Sequence, residues 1–405
     1  MKVWSALVVS SILFSASVTQ AALLPGFRVE KVADAPGFVT SIVFNESDSL
    51  FFSTTDGGIH RVDSGIATEV ARVETAKDGN AALLGIAFIN GFEVVTHHIV
   101  PDLTAEAFDI VNVETGQART LARILCNSGT LCESEHHGGN PVVAADGSVY
   151  VGIGDFGGGS LAQSMSSPAG KIFRITPDGT ATVFALGFRN PFDLVVDEPT
   201  GKLVVSDNGP EGGDEIHVIA QGDNAGWPLT FGDQAPLPGT VAPVFTFTET
   251  VAPTGLSRVR KVDSIPFDGL LSAAFVTGAI YYFPRPSEPR FMTPVTLVSG
   301  DYGPVIDVAQ NRKGEIYFAT GFAIYQLRAP LRGDVNGDGK VDEGDAVALV
   351  LELFDGDSNQ TIEVHLGTYP ATWGADVNND GVVDSRDQGA LARLRSSRLR
   401  AVRRP

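Results

Sequence analysis

The chain has 405 residues, 43% of them hydrophobic and 19% charged, with 45 glycines, 23 prolines and a formal net charge of −19 at pH 7. This length accommodates one large and one small domain, and the glycine and proline content is typical of an all-β protein with many turns. The negative charge argues against a nucleic-acid-binding protein, which needs a basic face. Much of this charge is aspartate in short clusters, which favours Ca²⁺ binding.

Residues 1–21 have the pattern of a secretory signal peptide. Lys2 precedes an apolar run over residues 3–14, and Thr19-Gln20-Ala21 offers small residues for cleavage after Ala21. The alternative is a membrane anchor, but the run is short and interrupted by serines. We therefore expect a secreted protein, extracellular or periplasmic, without a membrane span.

Residues 25–328 repeat a turn followed by a strand of alternating apolar residues. Propeller blades with variable loops have a period of roughly 40 to 70 residues, so this region of about 300 residues holds about six blades. We predict an all-β fold, a six-bladed β-propeller, and a β-sandwich is the alternative. The clearest repeats are residues 45–53, 145–152, 199–206 and 311–319.

The two cysteines, Cys126 and Cys132, are close in sequence. In an exported protein such a pair is typical of a disulfide, and this one would fix the approach to His136. His136 lies beside Gly138-Gly139, and a histidine on such a loop can serve as a general base near neutral pH; the alternative is a structural histidine. Three further histidines lack a comparable context and are interpreted as structural: His97, His98 and His217.

A second group of polar residues lies between residues 186 and 228. Arg189-Asn190 supplies planar donors that suit a carboxylate, and the backbone carbonyls of Gly209-Pro210 are hard oxygen ligands for Ca²⁺. The segment therefore predicts a site for an anion and a cation. For Asp155 and for Asp214-Glu215, a structural role in turns and in hydrogen bonds between blades is an equal alternative to a role in a functional site.

Eight short motifs, taken in chain order, resemble those of the soluble, pyrroloquinoline-quinone-dependent aldose/glucose dehydrogenases, the glucose/sorbosone dehydrogenase family of six-bladed propellers. The resemblance covers residues 80–228. The motifs are Leu83-Leu84-Gly85-Ile86-Ala87-Phe88, His136-His137-Gly138-Gly139, Gly154-Asp155, Gly170-Lys171-Ile172-Phe173-Arg174, Gly187-Phe188-Arg189-Asn190-Pro191, Gly209-Pro210, Asp214-Glu215 and Gly226-Trp227-Pro228.

The resemblance implies a function and a role for each matched residue. His136 would take the proton of the anomeric hydroxyl of an aldose while a hydride passes to the quinone. Arg189 would stabilise negative charge on the quinone oxygen, and Asp155 would orient His136 or the substrate. The cofactor and metal contacts would come from Asn80, Asn190 and Arg189 for the quinone, and from the carbonyls of Gly209 and Pro210 for a Ca²⁺ that polarises it.

The late blades depart from the family pattern. The family supplies there a lysine and an Arg-x-Arg-Asp element that bind the carboxylates of the cofactor, whereas the counterparts here, Val276-Thr277-Gly278 and Pro304-Val305-Ile306-Asp307, carry no cation. The alternative function is therefore a non-catalytic carbohydrate- or protein-binding propeller that has lost cofactor binding, and a Ca²⁺-dependent lactonase-like propeller is a third interpretation. The nearest substitute cations in sequence are Arg258, Arg260, Lys261 and Arg312.

The C-terminal region, residues 333–395, contains two copies of a 12-residue Ca²⁺-loop pattern, each followed by an apolar helix that we expect over residues 346–354 and 388–394. It resembles a dockerin module, which implies a cohesin-bearing scaffold protein as partner; a stand-alone Ca²⁺-stabilised domain is the alternative. Residues 396–405 form a basic tail, interpreted as a solvated end rather than a surface for anions. The predicted ligands are Asp334, Asn336, Asp338, Lys340, Asp342 and Asp345 in the first loop, and Asp376, Asn378, Asp380, Val382, Asp384 and Asp387 in the second.

Overall fold

The turn-strand repeats are built by local side-chain bonds. The side-chain oxygen of Asn45 accepts the N–H groups of Ser47 and Ser49, and that of Asn311 accepts the N–H of Glu315, so each asparagine folds its own turn. The computed structural model describes residues 22–23, 27–76, 82–126, 132, 135–197, 200–260, 268–284, 294–300, 302–328, 331–336, 340–354, 375, 377–378 and 383–402. The predicted signal peptide lies outside these residues.

The strands form six antiparallel sheets, the blades of a propeller. The first described strands are β1 (Ala22–Leu23) and β2 (Arg28–Asp34). Blade 1 contains β3 (Val39–Phe44), β4 (Leu50–Thr54), β5 (Gly58–Asp63) and β6 (Ile66–Arg72). Blade 2 contains β7 (Leu83–Phe88), β8 (Glu93–Ile99), β9 (Ala105–Asn112) and β10 (Ala118–Leu125). Blade 3 contains β11 (Val142–Val143), β12 (Val149–Ile153), β13 (Lys171–Ile175) and β14 (Ala181–Leu186), with a 3₁₀ turn at Gly159–Gln163.

The second half of the ring has the same layout. Blade 4 contains β15 (Pro191–Asp197), β16 (Lys202–Asp207), β17 (Glu215–Ile219) and β18 (Phe245–Thr246). Blade 5 contains β19 (Pro253–Val259), β20 (Gly269–Ala274), β21 (Ala279–Pro284) and β22 (Val295–Ser299). Blade 6 contains β23 (Val305–Gln310), β24 (Ile316–Thr320) and β25 (Ala323–Arg328). The six-bladed propeller predicted from the sequence is confirmed.

The N-terminal strands close the ring. β2 pairs with β25 as the outer strand of blade 6, and β1 pairs with β22 as a fifth strand of blade 5. Neighbouring blades bury apolar faces against each other, as where Phe51 of blade 1 contacts Phe88 of blade 2 with ring centroids 5.1 Å apart. The core therefore lies between the blades and leaves the axis to polar groups.

The first strand of each blade lies at the axis, and these inner strands run in the same sense. The carboxylate of Asp307 accepts the N–H of Ile42, and the hydroxyl of Ser41 accepts the N–H of Ile86, so matching positions of successive inner strands are level. We call the face where the inner strands begin the site face, and the opposite face the distal face. The loops before the inner strands all open on the site face.

After the propeller, the described residues include the helices α1 (Glu343–Phe354) and α2 (Ser385–Val402). Both begin earlier than predicted, and α2 extends eight residues beyond the expected end at Leu394, because residues 395–402 contain neither glycine nor proline. The basic tail predicted over residues 396–405 is therefore helical as far as Val402. Both helices pack on a small core of their own, which includes Leu349 and Leu391.

Two smaller predictions are also answered by the structure. Cys126 and Cys132 form the predicted disulfide. Neither α1 nor α2, the helices found among the described residues, has the length and apolar character needed to cross a bilayer.

Candidate active site

His136 lies on the loop that leads from blade 2 into blade 3, on the site face. Its φ of 65° is in the left-handed region, which residues other than glycine rarely adopt. The loop can take this path because Gly154 passes directly beneath it, where a Cβ atom would stand 2.0 Å from the carbonyl oxygen of His136. The backbone therefore places the His136 imidazole directly over Asp155.

The His136 side chain is 14% exposed, and its Nδ1 lies 2.6 Å from Oδ1 of Asp155, whose side chain is 2% exposed. The other oxygen of Asp155 accepts the indole N–H of Trp227 at 2.8 Å. Burial favours the protonated acid, but hydrogen bonds from His136 and Trp227 outweigh it and hold the pKa of Asp155 below its usual value. The carboxylate therefore assigns the Nδ1–H tautomer to a neutral His136 and leaves Nε2 as a proton acceptor.

A buried group of three residues supports the His136 loop from beneath. Nδ1 of His97 lies 2.7 Å from the carbonyl oxygen of Gly139, and its Nε2 lies 2.9 Å from Glu106. The other oxygen of Glu106 lies 3.1 Å from Nδ1 of His137. These contacts agree with the structural interpretation of His97. Glu106 was not found from the sequence, because one acid in an apolar strand carries no positional signal.

Arg189 lies on the loop before blade 4, and its own carbonyl oxygen accepts the N–H of Asp155 at 2.8 Å. One terminal nitrogen donates to the carbonyls of Asn208 and Gly209, both at 2.9 Å, and the guanidinium carbon lies 5.8 Å from the centre of the Trp227 ring. Within the described part of the chain, no carboxylate forms an ion pair with Arg189. Its charge is therefore available to an anion.

Asp207 fixes the main chain of Arg189 and Asn190. Its two oxygens accept the N–H of Arg189 at 3.0 Å and that of Asn190 at 2.6 Å. Burial, together with the neighbouring Glu215 carboxylate, raises the pKa of Asp207 to about 7. The side-chain oxygen of Asn190 accepts the N–H of Gly138 at 3.0 Å, so Asn190 ties this loop to that of His136. The sequence analysis missed Asp207, although it is a polar residue at the end of a buried strand.

The predicted metal carbonyls lie in a turn beside Arg189. The carbonyl of Gly209 accepts from Arg189, and that of Pro210 accepts the N–H of Gly213 at 2.8 Å; each carbonyl oxygen has a second lone pair. Asp214 bonds the N–H groups of Gly209, Val251 and Ala252. Asp214 therefore holds blade 4 to blade 5, as the structural alternative expected.

Two of the substitute cations of the late blades, Arg258 and Arg312, lie on the distal face, away from the candidate site. Arg258 pairs with Asp197 at 3.2 Å, and Arg312 donates to the carbonyl of Glu46 at 3.0 Å; both contacts are at the distal ends of the inner strands. In the site-face loops of blades 5 and 6, the described residues 251–253, 275–278, 300, 302–304 and 321–322 include no lysine or arginine. The suggestion that Arg258 or Arg312 replaces the family's cations is therefore wrong. Asn80 and Lys261 lie outside the described residues.

The two C-terminal loops share one arrangement. Asp345 accepts the N–H groups of Val335, Asn336 and Asp342, and Asp387 accepts those of Asn378 and Asp384. The last aspartate of each predicted loop thus closes it in the same way. Of the other predicted ligands, Asp334 and Lys340 are described, whereas Asp338, Asp376, Asp380 and Val382 lie outside the described residues.

The fold and site together define a six-bladed propeller. One of its faces carries a histidine–carboxylate pair and an arginine for which the described residues supply no acidic partner. The sequence model of the family described as Glucose / Sorbosone dehydrogenase matches residues 37–323. The chain belongs to this family.

Individual relatives agree with this family. The chain is 28% identical over 153 residues to an aldose sugar dehydrogenase of Escherichia coli, covering 31% of this chain and 41% of that protein. It is 27% identical over 209 residues to quinoprotein glucose dehydrogenase B of Acinetobacter calcoaceticus, covering 40% and 43%. These matches span less than half of either relative. The PQQ-bound aldose sugar dehydrogenase of Streptomyces coelicolor has the same fold, with a TM-score of 0.66 at 23% identity over 76% of this chain and 98% of that one.

Proposed function

We propose that the protein is an exported sugar oxidoreductase that oxidises the anomeric hydroxyl of an aldose, with pyrroloquinoline quinone and Ca²⁺ as cofactors. The observation that carries the proposal is the Asp155–His136 pair on the same face as Arg189. The Nε2 of His136 forms no hydrogen bond with the described residues and lies 3.8 Å from the exposed carboxylate of Glu135. When bound, the quinone supplies the hydride acceptor. Nε2 of His136 takes the hydroxyl proton, and the buried carboxylate of Asp155 stabilises the imidazolium that forms.

The residues present fit part of such a cofactor. The quinone is planar and anionic, and Arg189 presents a planar cation above the Trp227 ring with no acidic partner among the described residues. The free lone pairs of the Gly209 and Pro210 carbonyls suit a Ca²⁺. The described site-face loops of blades 5 and 6 offer no cation for the remaining carboxylates. Since each charge-assisted bond is worth about 1.5–3 kcal/mol, we expect weaker quinone binding than a complete set of cations would give.

A reconstitution experiment tests the proposal. The full chain is incubated with Ca²⁺ and the quinone, dye reduction is followed with a panel of aldoses, and quinone binding is measured by calorimetry. Arg189→Met should weaken quinone binding about 10- to 100-fold, because a charge-assisted contact is lost. The matched control is Arg258→Met on the distal face, which should bind normally. If the wild-type protein showed neither turnover nor quinone binding, the proposal that it is an enzyme would be refuted.

The second candidate is a propeller that binds a carbohydrate or a protein without catalysis. The absence of cations from the described site-face loops of blades 5 and 6 favours it. The same calorimetry separates the two, because this candidate binds a sugar in the absence of the quinone and shows no dye reduction in its presence.

For the C-terminal region we infer a Ca²⁺-binding module, supported by the two aspartates that close their loops alike. The resemblance to dockerins makes a cohesin-bearing scaffold a proposed partner, and a stand-alone stabilising domain is the alternative. A pull-down with immobilised cohesin domains, with and without Ca²⁺, distinguishes them.

Chelation should unfold this module alone. We expect EDTA to reduce the helical circular dichroism at 222 nm, because α1 and α2 pack on a small core that depends on the loops, while the propeller stays folded. Asp345→Asn combined with Asp387→Asn should reproduce the loss in the presence of Ca²⁺. Cooperative unfolding of both regions would contradict two independent domains.

A further inference from the structure

Each blade places one residue of its inner strand, or of the segment leading into it, at the same level of the propeller axis. At this level most of the strands have an irregular register, which turns the residue toward the axis. We call these six positions the axial ring. Its members are Ser41, Gly85, Asn140, Asp193, Gly255 and Asp307.

The two acids of the axial ring lie against a single peptide unit. Oδ2 of Asp193 accepts the N–H of Leu256 at 2.7 Å. Oδ1 of Asp307 lies beside Gly255, the residue before Leu256, since a Cβ on Gly255 would stand 2.1 Å from this oxygen. Asp193 is 5% exposed and Asp307 is 3% exposed. Neither forms an ion pair with a lysine or arginine among the described residues, so two carboxyl groups are buried together without a compensating cation.

Asn140 adds a side-chain oxygen that has no hydrogen-bond partner among the described residues. Its amide nitrogen donates to Oδ2 of Asp193 at 3.1 Å, which fixes the amide orientation. Its Oδ1 is buried and accepts no hydrogen bond from the described residues, and the residue as a whole is 5% exposed. Gly85 has no side chain at the facing position, where a Cβ would stand 2.4 Å from this oxygen. A buried amide oxygen without a donor is costly unless a ligand occupies it.

A cavity of about 430 Å³ leads to these groups from the distal face. Asn140, Asp193 and Asp307 line it together with inner-strand residues of every blade. At its mouth, the guanidinium of Arg312 donates to the backbone carbonyl of Glu46, and the main-chain N–H of Arg312 donates to the Asp48 carboxylate. A hydrated ion therefore has a path to the axial ring, with room for water ligands.

We propose that the axial ring binds a hard divalent cation, of which Ca²⁺ is the probe, through the carboxylates of Asp193 and Asp307 and Oδ1 of Asn140. Two carboxylates and an amide oxygen are ligands that Ca²⁺ prefers, and water completes its six to eight contacts. The ion neutralises both acids and satisfies the unpartnered oxygen. It also joins blades 3, 4 and 6, so it holds the ring closed. This site is distinct from the quinone site and does not depend on the proposed function.

Counting bound Ca²⁺ tests the site. Equilibrium dialysis or native mass spectrometry of the full chain should find one Ca²⁺ fewer in Asp193→Asn/Asp307→Asn than in the wild type. The asparagine oxygens can still accept from Leu256 and Ile42, which keeps the blades joined. The matched control is Asp146→Asn/Asp178→Asn, which removes the same charge from exposed turns and should keep every ion.

A direct observation covers the case in which the double variant does not fold. Wild-type crystals soaked in Mn²⁺ should show an anomalous peak on the axis between Asn140, Asp193 and Asp307. Ca²⁺ should also raise the melting temperature of the propeller by more in the wild type and in the exposed control than in the axial variant. Equal Ca²⁺ counts in all three proteins, or soaked crystals without an axial peak, would overturn the proposal.

Discussion

His136→Gln is expected to lower kcat for quinone-dependent aldose oxidation by about 10²- to 10⁴-fold, the contribution of a positioned general base. Glutamine has a similar length and can bond Asp155, but it has no nitrogen that accepts a proton. KM should change little, because His136 accepts the proton in the transition state and contributes little to binding of the sugar in the ground state. Steady-state dye reduction at saturating quinone and Ca²⁺ measures both constants.

The matched control for His136 is His60→Gln. His60 is also buried, but it stacks on Phe52 and bonds Thr54 within blade 1, so the change should cost some stability and leave kcat near the wild-type value. If His136→Gln retained more than about a tenth of the activity, a range below that of a general base, the proton would have another acceptor.

The blades were predictable because their signals are local. Asn45 and Asn311 fold their own turns, and the residues that follow them alternate in polarity, so each strand can be read without knowing its partner. The closure of the ring was not predictable. Arg28 pairs with Arg328, although the two residues lie at opposite ends of the propeller sequence. A strand of mixed polarity has no sequence feature that identifies a partner so distant in sequence.

The suggestion that Arg258 or Arg312 replaces the family's cations is wrong for a geometric reason. A strand advances about 3.3 Å per residue, so the end of β19 at Val259 is about 20 Å from its start at Pro253. Arg258 is close in sequence to the site-face loop that ends at Pro253, yet it belongs to the opposite face. Nearness in sequence has little value in a propeller unless the direction of the strand is included.

The missed residues are all buried acids, with Asn140 as their amide counterpart. Asp207 holds two N–H groups of the Arg189 loop, and Asp193 holds that of Leu256 in the next blade. In the sequence alone, each of these residues is indistinguishable from a polar residue in a turn or at a solvent-exposed position. The partners of Asp207 and Asp193 in these contacts are main-chain groups, which have no sequence signature, so only the assembled fold identifies them.

Asp155→Asn should lower kcat by about 10²-fold, within the range of general-base catalysis, with KM little changed. In the wild type, one oxygen accepts from His136 and from the N–H of Gly157, and the other accepts from Trp227. An amide has only one oxygen. It must turn an N–H group either toward the indole N–H of Trp227 or toward Nδ1 of His136, and in both cases the imidazolium formed during proton transfer loses its negative partner.

The ratio of the two kinetic constants separates this positioning role from a structural one. If Asp155 only stabilised the fold, Asp155→Asn would lower the melting temperature and leave kcat unchanged. Asp109→Asn removes a carboxylate that pairs with Arg123 in blade 2, so it should preserve kcat and serve as the matched control. A normal kcat in a destabilised Asp155 variant would show that the His136 imidazole is oriented by its loop alone. A low kcat at unchanged KM and melting temperature would show that the buried carboxylate makes His136 a base.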